Sequence, residues 1–220
     1  MDTGDKLKKD GRYDVSDLTE ARFEPGSNEL VLKNRLGIKS PQEMDAAEAR
    51  ALERAMSSFI GSYGESHRFT AADLLALHKE WLGEIYGWAG NYRQVNISKD
   101  GFPFAAAAQV PRLMAEFERG ILQRNTPCTF KDRAGIIRAL AETHVELVLI
   151  HPFREGNGRL ARILSTLMAL QAELPLLDFS LMAGVNRKAY FAAVQAGMDK
   201  NYQPMEKLFA EIIEKSVASS

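Results

Sequence analysis

The residues best suited to chemistry in this sequence stand together at positions 151–162, which spell His-Pro-Phe-Arg-Glu-Gly-Asn-Gly-Arg-Leu-Ala-Arg. The run lies between two apolar helical patterns, and this position indicates a loop that leads into the N-terminus of a helix. Such a junction binds anions, because free backbone N–H groups and the helix dipole both point at it. Gly156 and Gly158 would let the backbone come close to a phosphate, since neither carries a side chain.

Four side chains in this run could take part in a transfer reaction. Arg159 and Arg162 are three residues apart, hence on one helix face, and their guanidinium groups suit phosphate oxygens. Glu155 offers a hard carboxylate of the kind that holds Mg²⁺ together with substrate phosphates. His151 can accept a proton near neutral pH. The spacing therefore predicts a site for phosphoryl or nucleotidyl transfer.

These residues resemble the signature of the Fic (filamentation induced by cAMP) family. Every signature position is matched, namely His151, Phe153, Glu155, Gly156, Asn157, Gly158, Arg159 and Arg162. The one departure is Glu155, which stands where many members have aspartate and lengthens the metal-binding arm by one methylene. The resemblance implies a transfer of AMP from ATP to a hydroxyl side chain of another protein.

In that reaction positioning and charge stabilisation supply most of the catalysis. We expect His151 to take the proton from the incoming hydroxyl and Glu155 to hold Mg²⁺ against the phosphates of ATP. The backbone N–H groups of residues 156–158 and the side-chain amide of Asn157 would hold the α- and β-phosphates. Both signature arginines would neutralise the β/γ end and the leaving group.

The composition is that of an ordinary globular chain, with 220 residues, 45% hydrophobic and 26% charged, and a net charge of −1. This near-neutral balance gives no electrostatic reason to bind nucleic acid or an acidic membrane, and we expect neither as a direct partner. A single cysteine excludes an intramolecular disulfide and fits a reducing compartment. We see no signal peptide and no membrane-spanning run. These features favour a cytoplasmic protein, and the resemblance to the Fic family implies a bacterial one, with translocation by a signal-peptide-independent route left open.

The patterns around the signature run predict mainly helices. Residues 1–20 are charged and poor in large apolar groups, which indicates a loosely held lead-in before a single domain over residues 21–220. A Lys99-Asp100-Gly101 turn predicts a short hairpin within residues 94–104. Start signals and helical periodicity predict helices at about 41–61, 70–85, 109–123, 131–150, 156–172, 187–197 and 204–217. The expected fold class is all-α, a Fic-like helical fold with a small β-hairpin flap beside the active site.

The hairpin and one tyrosine each have a candidate function, the hairpin by resemblance and the tyrosine by its residue type. In Fic proteins the hairpin resembles a flap whose edge pairs with the backbone of the target and places a hydroxyl over the base. Tyr190, on the helix after the signature helix, is a candidate to line the adenine with its aromatic face. The alternative for each is simple packing in the core. The predicted flap residues are Gly101, Phe102, Pro103 and Phe104.

Many Fic proteins are inhibited by a helix of the pattern [Ser/Thr]-x-x-x-Glu-[Gly/Asn], whose glutamate pairs with the second signature arginine. The only glutamate of this chain that glycine or asparagine follows is Glu155, which belongs to the site itself. By resemblance we expect the arrangement of the bacterial Fic toxins. There a separate small antitoxin supplies the inhibitory glutamate, which here would face Arg162.

Two alternative functions stay open. The same site could use another nucleotide or a phosphocholine donor, because the signature contacts phosphates rather than bases. A kinase branch of the family carries lysine at the second signature glycine, and Gly158 argues against that use. The chain could instead be a non-catalytic helical adaptor that binds a phosphate. Against this stand His151 and Glu155, because a binding module needs neither a base nor a metal ligand.

Overall fold

A computed structural model describes residues 18–219, apart from the side chain of Val185. Seven α-helices lie in this part of the chain: α1 (Pro41–Ser62), α2 (Ala71–Leu82), α3 (Val110–Phe117), α4 (Arg133–Ile150), α5 (Asn157–Gln171), α6 (Arg187–Ala196) and α7 (Gln203–Ala218). A π-helical segment (Glu118–Leu122) and a last turn (Gln123–Asn125) extend α3. The hairpin pairs β1 (Ser98–Lys99) with β2 (Phe102–Pro103) in antiparallel register. The prediction of an all-α fold with one small hairpin is confirmed.

Capping side chains set the starts of the helices. Thr70 and Asp73 form a reciprocal capping box at the start of α2. Asp132 accepts the N–H of Gly135 at 2.7 Å at the start of α4. Each of these bonds satisfies an N–H group that has no partner within its helix. These capping side chains explain why both helices begin close to their predicted places.

The pair α4 and α5 forms the centre of the fold, with α7 packed against α4 and α1 against α2. Both central helices bury large apolar side chains, among them Leu140, Leu147, Leu160 and Leu164. Full burial of such a side chain stabilises a fold by about 2–3 kcal/mol. Because only residues 151–156 join α4 to α5, the signature run is held between two well-packed elements. No helix among the described residues is both long and apolar enough to cross a bilayer.

The first described residues pack onto the loop after α4. Thr19–Ala21 is a single 3₁₀ turn in which Glu20 is buried. The carboxylate of Glu20 accepts the N–H of Gln94 at 2.5 Å, and its carbonyl accepts Nε of Arg154 at 2.9 Å. Residues 18–20 of the predicted lead-in therefore belong to the folded domain, while residues 1–17 lie outside the described residues.

Candidate active site

Helix α4 ends at His151, whose backbone is left-handed (φ 52°, ψ 59°). Its Nδ1 lies 3.1 Å from the carbonyl oxygen of Val148. Because a carbonyl can only accept, Nδ1 carries the hydrogen and Nε2 keeps a free lone pair. Burial lowers the pKa of His151 to about 4, so the ring is neutral at pH 7. The ring also lines a cavity, and this neutral tautomer is the state that a general base needs.

The side chain of Asn157 closes the loop on itself. Its Oδ1 accepts the N–H of Phe153 at 2.8 Å, and its Nδ2 donates to the carbonyl of Phe153 at 2.8 Å. The residue is 2% exposed. The prediction that this amide holds a phosphate is therefore wrong. The amide instead stabilises the turn, because it satisfies two backbone groups that no helix partner could reach.

The two glycines of the run meet different surroundings. Gly156 has φ +83°, and a Cβ built there would lie 2.9 Å from Cζ3 of Trp81. Gly158 lies in the first turn of α5 and lines the cavity. A Cβ at Gly158 would meet only Nη1 of Arg162, at 4.0 Å. Gly158 therefore keeps space open where the free N–H groups of a helix start can contact an anion.

Glu155 presents a carboxylate to the cavity from a side chain that is 46% exposed. Its Oε1 accepts the N–H of Gly156 at 2.8 Å and lies 3.3 Å from Nη2 of Arg159. Within residues 18–219 its Oε2 accepts no hydrogen bond, and no group of three or more His, Cys, Asp or Glu side chains could hold a metal. This donor set fits Mg²⁺ that takes its other oxygen ligands from phosphates and water, which is how the ion usually binds.

The two signature arginines differ in how their charge is compensated. Nη1 of Arg159 lies 2.6 Å from the buried carboxylate of Glu48, and its guanidinium lies 4.9 Å from the centroid of Trp81. With Glu155 as a second neighbour, Arg159 is held between two carboxylates. Arg162 also lines the cavity, but no carboxylate of residues 18–219 pairs with it. Arg162 is thus the signature arginine whose charge is available to a phosphate.

Tyr190 lines the cavity while its hydroxyl points into the core. Ser165 donates to the carbonyl of Ala161 at 2.8 Å, so its oxygen accepts from Nδ1 of His144 at 3.2 Å. Nε2 of His144 then accepts the hydroxyl of Tyr190 at 3.0 Å. Burial lowers the pKa of His144 to about 3 and raises the pKa of Tyr190 to about 12. This chain of bonds fixes the tyrosine ring as both core residue and cavity wall.

The hairpin covers the histidine. Phe104 stacks on the His151 ring with centroids 3.6 Å apart, and Phe102 meets Phe104 edge to face at 5.5 Å. Both phenylalanines line the cavity. Gly101 and Pro103 are exposed and lie outside its lining. The predicted flap residues therefore divide into two at the site and two on the outer surface of the hairpin.

The cavity between the hairpin, the loop and α6 has a volume of about 720 Å³, within the usual range for small-molecule sites. Its wall includes three cations that sequence reasoning missed: Lys99 of β1, and Arg187 and Lys188 at the start of α6. Lys99 and Arg187 each lie 5.3 Å from the ring centroid of Phe191. The only signal in the sequence was a basic pair that opens a helix, which is equally typical of a solvated surface.

The signature loop, the start of α5 and the hairpin all lie in a segment that matches a known family model. The description of that model is Fic/DOC family, and it matches residues 68–169, from just before α2 to the end region of α5. Residues 68–169 form a Fic/DOC domain. The matched residues include the whole signature run and the hairpin.

The relatives of this Fic/DOC domain include adenylyltransferases. Protein adenylyltransferase VbhT of Bartonella schoenbuchensis is 34% identical over 137 residues, which cover 60% of this chain and 27% of VbhT. Probable protein adenylyltransferase Fic of Escherichia coli K12 is 27% identical over 195 residues, which cover 84% of this chain and 89% of that protein. The chain therefore spans about a quarter of VbhT but most of the Escherichia coli relative.

Solved structures share the fold of this Fic/DOC domain. The N-terminal Fic domain of a Bartonella effector protein from Bartonella sp. AR 15-3 has a TM-score of 0.71 at 25% identity, covering 89% of this chain and 92% of that one. An N-terminal Fic domain from Bartonella quintana, solved with bound ADP, has a TM-score of 0.69 at 26% identity and covers 87% of this chain and 94% of that one. The predicted Fic-like fold is confirmed.

Proposed function

We propose that this chain is a protein adenylyltransferase, which transfers AMP from ATP to a hydroxyl side chain of a target protein. The observation that carries the proposal is the free Nε2 of His151, which belongs to the same cavity as Gly158 and Arg162. This cavity joins a neutral base to an anion site. The names of the VbhT and Escherichia coli relatives support the reaction, and the ADP bound to the Bartonella quintana domain supports the ligand class.

The transfer joins the target oxygen to the α-phosphorus of ATP. As that oxygen attacks, Nε2 of His151 takes its proton. The bond between the α-phosphorus and the α,β-bridging oxygen breaks, and pyrophosphate leaves with the electron pair. The free N–H groups of Asn157 and Gly158, at the start of α5, hold the α- and β-phosphates, since the N–H of Gly156 already donates to Glu155. Arg162, with Arg159 beside it, balances the charge that develops toward the leaving group.

Magnesium is part of this proposal. The carboxylate of Glu155 would hold the ion through Oε2, because Oε1 already accepts from Gly156 and lies beside Arg159. When bound with ATP, Mg²⁺ supplies charge neutralisation for the phosphate oxygens and the leaving pyrophosphate. Tyr190 and the cations of α6 form the opposite wall, where the nucleoside would lie.

The hairpin is the docking element for the target. Its strands are two residues long, and Gly101 and Pro103 on its outer surface are exposed. An extended segment of the target can pair with the free edge of such a hairpin through its backbone, which is a general mode of peptide recognition. The hydroxyl would then lie near His151, beneath Phe102 and Phe104.

The state of Arg162 supports control by a separate small antitoxin, which is part of the proposal. No glutamate among residues 18–219 pairs with it, and its burial makes an unpaired charge costly. A glutamate from a partner would satisfy the guanidinium and exclude the γ-phosphate. The chain alone is then an active enzyme, as in a toxin–antitoxin pair.

The test is incubation of the purified chain and a cell lysate with Mg²⁺ and ATP labelled at the α- or the γ-phosphate. Protein labelled only from the α-position is the expected result. Label only from the γ-position means a kinase, and label from neither means a phosphate-binding adaptor or a different donor. Labelled GTP, UTP and a phosphocholine donor then separate these last two cases.

His151→Ala is expected to lower transfer by at least about 100-fold, the usual contribution of a general base, with the ADP affinity of the folded variant unchanged. A loss of ADP binding would contradict the role of base. His67→Ala, outside the cavity, is the matched control. If transfer appears only after limited proteolysis of the chain, the inhibitory group lies within the chain, and the proposal of a separate antitoxin is wrong.

A further inference from the structure

A second histidine lies directly beneath the signature loop. His78 of α2 is fully buried, and its Nδ1 lies 2.9 Å from the backbone nitrogen of Gly90. Because that N–H can only donate, Nδ1 accepts and the ring hydrogen is on Nε2. Nε2 in turn lies 3.1 Å from the carbonyl oxygen of Glu155, to which it donates. Burial lowers the pKa of His78 to about 4, which keeps this arrangement at neutral pH.

The same ring also supports the loop by stacking. The rings of His78 and Phe153 are 3.9 Å apart between centroids, with planes only 6° apart. Phe153 is fully buried and shares two hydrogen bonds with Asn157. His78 thus fixes the loop at two places, by stacking on the ring of Phe153 and by donating to the carbonyl of Glu155.

The bond to Glu155 sets the orientation of a peptide plane that faces the cavity. In a trans peptide the N–H of the next residue points opposite to the carbonyl. With the carbonyl of Glu155 turned toward His78, the N–H of Gly156 points to the other side, where it donates to Oε1 of Glu155 at 2.8 Å. One buried donor therefore fixes both a backbone N–H and a carboxylate.

We propose that His78 is a positioning residue for the nucleotide site: it holds the Glu155–Gly156 peptide so that the carboxylate of Glu155 and the start of α5 meet the phosphates. This inference rests on the proposed function, since the ligand is taken to be a nucleotide with Mg²⁺. His78 itself touches no substrate. His78 acts on the site only through its hydrogen bond to the carbonyl of Glu155.

Two substitutions separate the hydrogen bonds of the ring. In His78→Gln the amide nitrogen reaches the place of Nε2 and keeps the donor to Glu155. In His78→Asn the amide oxygen reaches the place of Nδ1 and keeps the acceptor for Gly90. Both variants lose the stacking on Phe153, so a similar fall in melting temperature is expected for both.

The measurement is calorimetric binding of ADP with Mg²⁺ to the full chain, together with transfer from α-labelled ATP. The glutamine variant is expected to stay within about threefold of the wild type. The asparagine variant should bind at least about tenfold more weakly, the loss typical when a supporting residue of a ligand is removed. An equal loss in both variants, or a loss that follows only the melting temperature, overturns the inference.

Further outcomes keep the two proposals apart. If the wild type binds ADP but transfers nothing, adenylyl transfer is wrong, and the pair of variants still decides the role of His78. If the wild type binds no ADP, both proposals fall. Should either variant not fold, nitrogen NMR of the wild type decides. His78 must carry its hydrogen on Nε2 and the amide of Gly156 must shift with ADP, and failure of either overturns the inference.

Discussion

At the scale of single residues, Gly156 and Gly158 show how one signature serves two requirements. Trp81, which a side chain at Gly156 would meet, donates its Nε1 to the carbonyl of Glu48 at 3.0 Å and lies against Arg159. A Cβ at position 156 would push the indole and disturb the Arg159–Glu48 ion pair. Nothing comparable lies near Gly158, whose neighbour is the cavity. The first glycine is required by packing and the second by the ligand.

Substitution by alanine should separate the two. Gly156→Ala is expected to lower the free energy of unfolding by about 1–3 kcal/mol, because alanine is strained at a positive φ. Gly158→Ala should change that free energy by no more than about 1 kcal/mol, since alanine favours a helix, and should weaken ADP binding. Urea denaturation and calorimetric titration measure the two effects.

Gly61 of α1 offers a matched control, because it is exposed and a Cβ there would meet no atom within 4 Å. Gly61→Ala should change neither ADP binding nor transfer. If Gly158→Ala destabilised the fold as strongly as Gly156→Ala, or left ADP binding unchanged, Gly158 would not serve the ligand.

At the scale of elements, Arg93 joins the hairpin to the end of α4. It is 2% exposed. Its Nε donates to the carbonyl of His151 at 2.7 Å, its Nη1 to that of Val95 at 2.8 Å, and its Nη2 to that of Ala105. Its backbone N–H donates to Pro152 at 2.9 Å. Because Val95 and Ala105 flank the two strands, one guanidinium fixes both sides of the hairpin relative to the base.

Arg93→Lys should therefore cost both stability and activity. An ammonium group cannot span these carbonyls as the planar fork does, and hydrogen bonds to a charged group are worth about 1.5–3 kcal/mol each. We expect the free energy of unfolding to fall by about 2–4 kcal/mol and transfer to fall at least about tenfold at a temperature where the variant is folded. Urea denaturation and the α-label assay check this.

Arg138→Lys is the control, since Arg138 is exposed on α4. It should leave both quantities unchanged. Transfer at the wild-type rate in a folded Arg93→Lys variant would show that the hairpin and His151 keep their relation without the guanidinium, and that Arg93 is only a stabilising residue.

Much of this architecture could be predicted from the sequence because its signals are local. Thr70 and Asp73, which start α2, lie within four residues of each other. The two-residue turn Asp100-Gly101 directly joins the two strands of the hairpin. The signature run is local too, which is why His151, Glu155, Gly158 and Arg162 were all placed on one cavity.

The parts that sequence reasoning missed depend on contacts between distant residues. Arg93 and His151 are 58 positions apart in the chain, and His78 and Glu155 are 77 positions apart. No pattern within one segment predicts such a bond. Asn157 was predicted to hold phosphate because its type suits that role, but its amide fits its own turn. The identity of a polar residue does not tell which way its side chain points.

At the scale of the whole molecule, three of the four histidines lie at contacts between elements, two of them (His78 and His144) buried and His151 half-buried. His78 joins α2 to the loop, His144 joins α4 to α5 and α6, and His151 ends α4 beneath the hairpin. Burial lowers the pKa of each, to about 4, about 3 and about 4 respectively. Nδ1 of His78 and Nε2 of His144 each accept a hydrogen bond, which a doubly protonated imidazole could not do, whereas His151 leaves Nε2 unbonded within residues 18–219.

These three rings make stability depend on pH in a defined window. Above pH 6.5, the usual pKa of histidine, both the folded and the unfolded chain leave them neutral. Below it the unfolded chain binds protons that the folded chain rejects, so the free energy of unfolding falls as the pH falls. The slope of the free energy of unfolding against pH reaches about 1.4 kcal/mol per pH unit for each ring and about 4 kcal/mol per pH unit for the three rings together.

Urea denaturation at pH 7.5, 6.5, 5.5 and 5.0 measures this slope before most carboxylates begin to titrate. His144→Gln is expected to lower stability at every pH but to reduce the slope by about a third, because one of three rings no longer titrates. Transfer should persist at pH 5.5, where the folded His151 is still neutral and able to accept a proton. A free energy of unfolding that stayed constant from pH 6.5 to 5.0 would mean that the rings take up protons in the folded state. In that case the neutral tautomers assigned to His78 and His151, on which the site geometry depends, would be wrong.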